Sequence, residues 1–430
     1  MTNLILRRDF LNRTALGGIG LAAATSSLGF AADDKPSERV VVGVMGLSRG
    51  RSLATQFAKQ PNVEVKYLCD VDSTRAESCV AEVEKIGGSK PQAVGDFRQI
   101  LDDKDVDALI CAAPNHWHAP ATILACKAGK HVYVEKPCCH SPREGELMIE
   151  AARKYQRAVQ VGTQRRSSEG ITLAVNLLRE GKIGRVYAAK ATYASARGSI
   201  GTGKPADVPA DLDYELWQGP SPRTPYVDNR VHYNWHWFWQ WGNGELGNNG
   251  VHTLDLCRWG LGVDYPIRVT SSGGRYCFDD DQQTPDTHMA TFEFEGGGLI
   301  TWHGFSCNRK DQDEFITYYG DKGALRLDDS GSFIIFDEAN KEVQRDTRGT
   351  RGDNEHIVNF LAAVRNEKPL DLNAEIEEGH KSTLLCHLGN IAQRTGRTLN
   401  CNPQSGQIIG DEKAMKLWSQ DYESGWEPTV

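Results

Sequence analysis

Three features are missing from this sequence, and each absence excludes a class of protein. A membrane-spanning helix needs about 18 consecutive apolar residues. No segment of this sequence is that long and apolar, so stable membrane insertion is not expected. Asp and Glu outnumber Lys and Arg by 57 to 49, and without a basic stripe a nucleic-acid partner is not expected. The 11 cysteines show neither Cys-x-x-Cys pairs nor zinc-ribbon spacing, so we predict mostly free thiols.

The length and composition indicate a folded protein of more than one domain. A chain of 430 residues exceeds the usual size of a single domain. Its 39% hydrophobic and 25% charged residues are typical of globular proteins and unlike those of disordered chains. We therefore expect two domains.

The first 32 residues have the layout of a twin-arginine export signal. Arg7 and Arg8 precede an uncharged run over residues 14–32, and Gly29 and Ala31 suit cleavage after Ala31. Such signals serve proteins that fold before export, often with a cofactor already bound. We therefore predict the twin-arginine export machinery as a partner, a periplasmic or other exported location, and a polar linker over residues 33–38.

The order of apolar runs predicts two different folds along the chain. Strands near residues 39–45, 63–68, 107–112, 131–134 and 158–161 alternate with helices, which indicates a doubly wound parallel sheet over residues 39–161. After residue 162, strands follow one another without intervening helices, for instance over 287–305. This pattern predicts an α+β domain over 162–430 with a large, mostly antiparallel open sheet.

A glycine turn after the first strand is a candidate dinucleotide site. Gly46 occupies the first position of the fingerprint, whereas Ser48 and Arg51 stand where the second and third glycines would be. A plain strand-to-helix turn is the alternative reading of these letters. We predict that Gly46, Ser48, Arg49 and Gly50 contact a pyrophosphate at the start of the following helix.

A carboxylate at the end of the second strand points to the kind of dinucleotide. Asp70 lies 24 residues after Gly46, where it can accept hydrogen bonds from ribose hydroxyls and would repel a 2′-phosphate. This favours NAD over NADP. The cations Arg49 and Arg75 could soften that preference and leave NADP as the alternative.

Two further turns follow strands of the same sheet, where ligands of such sheets bind. The first, at residues 112–118, contains Pro114, Asn115 and His118, which we expect beside the nicotinamide ribose. His116 and His118 lack an acidic third ligand nearby, so no metal site is predicted. The second contains Glu135 and Lys136, both expected at the cofactor, and the lysine could help to deprotonate a substrate hydroxyl. An ordinary solvated Glu–Lys pair is the alternative.

The glycine turn, the Asn-His-Trp-His turn and the Glu-Lys-Pro turn together resemble the Gfo/Idh/MocA family of NAD(P)-dependent oxidoreductases, which includes glucose-fructose oxidoreductase and inositol dehydrogenase. The resemblance covers nearly the whole chain after residue 32. It implies that Lys136 lies near the nicotinamide and the substrate hydroxyl. It also implies that a late helix, at about residues 374–395, packs back toward the Rossmann domain.

The resemblance extends to a second motif in the C-terminal half. A glycine-rich stretch leads to His252, which falls on the family's catalytic acid/base, a role that suits a side chain with a near-neutral pKa. Asn248 stands where the family usually has Asp, and an amide cannot supply the charge. This departure leaves open how His252 is tuned and whether dehydrogenation is the net reaction. Asn248 and Asn249 are predicted to bind substrate.

A cluster of aromatic residues at 232–241 favours a carbohydrate-like substrate. It contains four tryptophans within seven residues, and aromatic faces pack on the C–H faces of sugars. For any single ring, a place in the core or an interface is the alternative. Trp235 and His236 are predicted substrate contacts, as are Gln164 and Arg165, which follow the last strand of the first domain.

These observations predict an NAD(P)-dependent oxidoreductase that transfers hydride between a secondary hydroxyl of a sugar, polyol or glycoside and a tightly bound cofactor. Lys136 and His252 would be its catalytic residues. The first alternative is a glycoside-cleaving enzyme that oxidises, eliminates and reduces on one bound NAD. The second is a dinucleotide- or sugar-binding protein without catalysis. The open sheet suggests a homodimer or homotetramer.

Overall fold

Two sheets organise the part of the chain that the computed structural model describes, residues 38–311 and 314–430. The predicted export signal and all of the predicted linker except Glu38 lie outside these residues. No helix in the described ranges has both the length and the apolar character needed to cross a bilayer.

The N-terminal sheet is parallel throughout, with the strand order β3-β2-β1-β4-β5-β6. Its strands are short apolar runs, and every residue of the first strand is buried, as expected for a sheet covered on both faces. The strands are β1 (Val40–Met45), β2 (Val63–Cys69), β3 (Gln92–Val94), β4 (Ala108–Cys111), β5 (His131–Val134) and β6 (Val159–Val161). The connecting helices are α1 (Arg49–Ala58), α2 (Ser73–Gly87), α3 (Arg98–Asp102), α4 (Asn115–Lys127) and α5 (Pro142–Tyr155).

Helix α4 starts earlier than the sequence predicts. The apolar pattern of the sequence predicts a helix over residues 120–128. The structure instead begins the helix at Asn115, with Pro114 at the N-cap and Pro120 inside the helix. The residues expected in a loop at 115–118 therefore form the first helical turn, and their side chains are held rigidly.

The C-terminal domain is built on a ten-stranded sheet in which β10 and β7 are parallel and the other pairs antiparallel. The strand predicted over 287–305 is two strands, because a turn with positive φ at Gly296 and Gly297 interrupts it. The strands are β7 (Val186–Ala196), β8 (Pro266–Gly274), β9 (Thr287–Phe294), β10 (Gly298–Phe305), β11 (Cys307–Asn308), β12 (Ile316–Gly320), β13 (Gly323–Leu327), β14 (Phe333–Phe336), β15 (Glu342–Asp346) and β16 (Leu399–Asn400).

The helices of the second half of the chain are α6 (Glu169–Arg179), α7 (Tyr214–Gln218), α8 (Val251–Leu261), α9 (Asp353–Arg365), α10 (Ile376–Thr395) and α11 (Glu412–Met415). Helices α6, α8 and α10 pack against strands of the large sheet, whereas α9 packs against β1 and α1 of the first domain. Helix α10 also packs against α5 and β6. Arg153 of α5 forms a two-pronged ion pair with Glu375, the N-cap of α10, at 2.7 and 2.9 Å. This ion pair ties α10 to the first domain.

Candidate active site

A cavity of about 410 Å³ lies at the carboxyl ends of β1, β2, β4 and β5. This is the edge of a doubly wound sheet where ligands bind. Side chains of the C-terminal domain close its other side. The predicted residues that line it are Gly46, Ser48, Arg49, Asp70, Pro114, Asn115, His118, Glu135, Lys136, Gln164, Trp235, His236, Asn248 and His252.

The glycine turn depends on Gly46, which has φ +84°. A Cβ atom there would lie 2.6 Å from the backbone of Ala113, so the turn needs glycine for both its conformation and its close approach to the next loop. Ser48, at the N-cap of α1, makes no capping hydrogen bond through its side chain. Gly50 does not line the cavity; it lets α1 approach Val44 of β1.

Asp70 anchors the turn after β2. One carboxylate oxygen accepts from the Leu47 N–H at 2.7 Å and the other from the Asp72 N–H at 3.0 Å. Burial raises the pKa of Asp70, while these two backbone donors oppose the rise. The side chain therefore ties the glycine turn to the β2 turn and also borders the cavity.

The first turn of α4 contributes two buried side chains to the wall. Asn115 donates to the side-chain oxygen of Asn243 at 2.9 Å, which links the two domains. Both ring nitrogens of His118 lie 2.7 Å from backbone carbonyl oxygens, those of Pro137 and Ala113. His118 thus holds the turns after β4 and β5 together, and both of its ring nitrogens are occupied by contacts within the protein.

Lys136, after β5, meets the C-terminal domain directly. Its ammonium group donates to the backbone oxygen of Asn248 at 2.9 Å and to the side-chain oxygen at 3.2 Å. Burial lowers the pKa of Lys136. An ammonium group has three N–H donors, so one remains for a ligand. The neighbouring Glu135 pairs with Arg49 at 3.0 Å, and Arg49 also pairs with Asp353 at 2.9 Å.

His252 is the second residue of helix α8, which directly follows a π-helical turn over Leu246–Gly250, a distortion frequent at functional sites. The same turn carries Asn248, so it brings the Lys136 contact and the histidine into one wall. Burial, and then the charges of Arg165, Lys136, Arg49 and Arg351, lower the pKa of His252 well below its usual range. Its Nδ1 atom is enclosed and has no hydrogen-bond partner among the described residues. The imidazole is therefore neutral at physiological pH.

A second cavity, of about 770 Å³, adjoins the first and shares His252 and Arg351 with it. Arg165 and Asn249, both predicted substrate contacts, line this second cavity and not the first. The Asn249 amide donates to Glu245. The remaining wall comes from β7 and from the strands and turns between β12 and β15. His252 therefore stands where the two cavities meet.

The aromatic cluster divides into core and cavity rings. Trp237 and Trp241 are buried, whereas Trp235 and His236 line the first cavity with their rings stacked at a centroid distance of 3.6 Å. Burial lowers the pKa of His236 to about 3, and its Nδ1 atom lies 2.6 Å from the Tyr233 carbonyl oxygen. The pair presents flat, uncharged surfaces to the cavity.

Another wall of the first cavity is the covering segment (residues 211–241), of which sequence reasoning identified the aromatic end at 232–241 and missed Leu216 and Trp217. It is fixed to the Rossmann domain by an Asp213 N–H bond to the Val71 oxygen at 2.9 Å and by His232 at 3.0 Å from Asp72. The Trp217 carbonyl oxygen accepts from the indole of Trp117 at 3.0 Å. No motif marked Asp213 or Trp217, because their contacts join positions about 100 or more residues apart along the chain.

Arg351 and Asp353 were also missed, since they lie in an irregular segment and at the start of α9. Across residues 38–311 and 314–430, no three His, Cys, Asp or Glu side chains are grouped so that they could hold a metal ion.

The parallel sheet, its glycine turn and the carboxylate after β2 define a dinucleotide-binding domain. Residues 38–163 match the family model described as an oxidoreductase family with an NAD-binding Rossmann fold, and residues 197–428 match its C-terminal alpha/beta domain. The chain belongs to the Gfo/Idh/MocA oxidoreductase family, and its N-terminal domain is an NAD-binding Rossmann domain.

Similar curated proteins include two from Shewanella. A glycosyl hydrolase family 109 protein of Shewanella putrefaciens is 30% identical over 159 residues, 36% of this chain and 35% of the relative. An alpha-N-acetylgalactosaminidase of Shewanella oneidensis is 28% identical over 210 residues, 44% and 46%. The match thus spans about a third to a half of the length of these relatives. The uncharacterized oxidoreductase YrbE of Bacillus subtilis is 22% identical over 68% of this chain and 75% of its own.

Solved structures show the same fold. The aldose-aldose oxidoreductase of Caulobacter crescentus, complexed with glycerol, superposes with a TM-score of 0.65 at 19% identity, covering 84% of this chain and 99% of that one. A levoglucosan dehydrogenase in complex with NADH and levoglucosan gives a TM-score of 0.65 at 18% identity, with the same coverage.

Proposed function

We propose that this protein is an NAD-dependent oxidoreductase that transfers hydride between a secondary hydroxyl of a sugar, polyol or glycoside and a retained nicotinamide cofactor. The observation that carries the proposal is the meeting of Lys136 and His252 in one cavity with the glycine turn and Asp70. The sugar and NADH ligands of the solved relatives support the substrate class and the cofactor.

The first cavity suits a dinucleotide. The glycine turn brings backbone to the cavity wall at the start of α1, where no side chain caps the helix, and a helix N-terminus favours a pyrophosphate. Asp70, held on the same turn, would accept the hydroxyls of a ribose and disfavour a 2′-phosphate. Lys136 and His252 border the end of the cavity that adjoins the second one. Bound nicotinamide supplies a carbon that accepts or returns hydride.

The two catalytic residues then have separate tasks. His252 would accept the proton of the substrate hydroxyl at Nε2, because Nδ1 is enclosed by the protein. Its depressed pKa keeps the imidazole neutral and ready to accept. Lys136, with two of its donors used by Asn248, would offer the third to the hydroxyl oxygen and stabilise negative charge that develops there. In the reverse direction the proton returns from His252 to the carbonyl oxygen.

We further propose that the cofactor stays bound through many turnovers. The covering segment (residues 211–241) closes one wall of the first cavity and is tied to the Rossmann domain at Val71 and Asp72. Arg7 and Arg8 support export through the twin-arginine machinery to the periplasm or another exported compartment, where free NAD is scarce. A cofactor reduced and reoxidised in the same site fits that location.

A spectroscopic test uses the purified protein with whatever dinucleotide it retains. Sugars and polyols are added without free cofactor, and the near-ultraviolet absorbance of reduced nicotinamide is followed. We expect at least one compound to reduce the bound cofactor and a carbonyl compound to reoxidise it. If an NAD-loaded protein remains oxidised with every compound of a broad sugar and polyol panel, the proposed activity is wrong.

Glycoside cleavage is the second candidate function, because two of the similar proteins are a glycosyl hydrolase family 109 protein and an alpha-N-acetylgalactosaminidase. In this reaction the sugar is oxidised, the glycosidic substituent is eliminated, water adds, and the hydride returns, so that NAD is regenerated. Release of free sugar and aglycone without an added carbonyl acceptor would support cleavage. A requirement for such an acceptor would support net oxidoreduction.

The open face of the large sheet is our candidate for self-assembly into a homodimer or homotetramer. Exposed apolar side chains lie on several strands of this sheet, including Tyr187, Met289, Tyr319 and Val343. Such residues suit an interface between copies of the chain.

A further inference from the structure

The second cavity contains a buried arginine whose charge is only partly compensated. The side chain of Arg165 is 9% exposed, and its ion-pair partner Asp329 is 44% exposed. Asp329 also pairs with Arg351, so two guanidinium groups share one carboxylate. Burial lowers the pKa of Arg165, which reflects the cost of enclosing this charge.

The hydrogen bonds of Arg165 are incomplete as well. A guanidinium group carries five N–H donors, and here only Nη2 bonds to a side chain, that of Asp329. The Nε atom is fully enclosed and has no partner among the described residues. The Nη1 atom is not enclosed and makes no hydrogen bond to the described residues, so its N–H donors are available to an acceptor in the second cavity.

Around His252, too, the positive side chains outnumber the carboxylates with which they pair. Four cations lower the pKa of His252, namely Arg49, Lys136, Arg165 and Arg351. Within the described residues their ion-pair partners are Glu135 and Asp353, both on Arg49, and Asp329, which Arg165 and Arg351 share. The Lys136 ammonium group bonds to Asn248 and forms no ion pair there, and the nearby Glu245 pairs with Arg197. The four cations therefore share three carboxylates in ion pairs.

The missing anion belongs to the substrate side of the site. Arg165 lines the second cavity and does not line the first, where the glycine turn would hold the pyrophosphate. His252 borders both cavities. A group bound at Arg165 is therefore on the far side of His252 from the glycine turn, in the position of a substituent of the reacting molecule.

We propose that the substrate carries a carboxylate and that Arg165 binds it in the second cavity, so that the substrate is an acidic sugar such as a uronate or a glycoside of one. A guanidinium fork matches the planar carboxylate, and the pair would use donors that the protein leaves free. The inference rests on the proposed function, since it names the substrate of that same site. With a neutral Asn248 in the site, the carboxylate of a bound substrate would supply the negative charge that offsets these cations.

The test is equilibrium binding to the NAD-loaded protein, measured by titration calorimetry. The probes are three acidic sugars with their neutral counterparts: glucuronate and glucose, galacturonate and galactose, mannuronate and mannose. At least one acidic sugar should bind about tenfold or more tightly than its counterpart, as expected for a charge-assisted bond. Arg165→Gln should reduce that preference to about onefold, and Arg351→Gln, a change at an exposed arginine, should reduce it several-fold. Arg268→Gln, at an exposed arginine of β8 outside the lining of both cavities, should leave it unchanged.

Three outcomes overturn the inference. They are equal binding of each acidic and neutral pair, an acid preference that survives in both Arg165→Gln and Arg351→Gln, and binding of glucose 6-phosphate in preference to every uronate. Dinucleotide content is measured on the same samples. If one of these outcomes is found in a protein that retains NAD and reduces it with neutral sugars, this inference fails and the proposed function stands, whereas a protein that binds no dinucleotide would sink the proposed function.

Discussion

The two adjoining cavities are constructed in different ways. The first follows strand ends of one parallel sheet, so its main parts are turns whose positions along the chain are fixed by the fold. The second is walled by β7, by the hairpins after β12 and by charged side chains of irregular segments. The shape of the cofactor side therefore depends on backbone geometry that the fold provides. The ligand preference of the substrate side depends on charged side chains that this particular sequence supplies.

Removing the imidazole at the junction of the two cavities should have the largest effect on activity. His252→Ala should lower the rate of cofactor reduction by about 10²- to 10⁴-fold, because the hydroxyl proton loses its acceptor. The cofactor content should not change, since the glycine turn and Asp70 are untouched. Single-turnover absorbance measures the rate. His303→Ala, at a half-buried histidine outside both cavities, is the control and should retain the rate. An undiminished rate in His252→Ala would show that the acid/base assignment is wrong.

A substitution at Gly46 tests the backbone geometry of the cofactor side. Gly46→Ala should destabilise the protein by about 1–2 kcal/mol for the left-handed conformation alone, and by more because of the contact with Ala113. The displaced turn should also lose the dinucleotide. Urea unfolding and cofactor content measure the two effects. Gly88→Ala is the matched control, since Gly88 also has a positive φ, +76°, but no atom lies near its added Cβ. Equal effects of the two substitutions would contradict the role of the close approach.

Cofactor choice should respond to the charge at the end of β2. Asp70→Asn should lower the preference for NAD over NADP by about tenfold, because the amide no longer repels a 2′-phosphate and binds the ribose hydroxyls more weakly. Binding of the two dinucleotides to stripped protein measures the ratio. Asp105→Asn, at a surface aspartate away from the cavity, should keep it. An unchanged ratio in Asp70→Asn would place the adenosine ribose elsewhere.

The smallest effect concerns pH. A base with a depressed pKa stays neutral below the usual histidine range, so hydroxyl oxidation should persist into mildly acidic solution and fall only at lower pH. Arg351→Gln removes one of the four cations that face His252, which raises the pKa of His252 and moves the acidic limb to higher pH. Single-turnover rates across pH measure the shift. Movement in the opposite direction would contradict the charge arrangement.

The sequence predicted the cofactor side better than the substrate side for physical reasons. Strands such as Val40–Met45 are continuous apolar runs, and functional turns directly follow them. Strand β3 was not predicted, since three residues show no periodicity. Arg351 and Asp353 could not be found, because Asp353 meets Arg49 across 304 positions of the chain and neither lies in a motif. The sequence also could not predict the partly compensated charge of Arg165, because the burial of an arginine depends on its tertiary contacts and not on its residue type.

Native mass spectrometry of the purified protein tests the central claim most directly, since it reports bound dinucleotide and subunit number together. The account predicts that each subunit carries one NAD after purification, that the mass is lost on denaturation as free NAD, and that the assembly is a dimer or tetramer. Protein that contains neither NAD nor NADP, and that takes up neither when they are added, would contradict it.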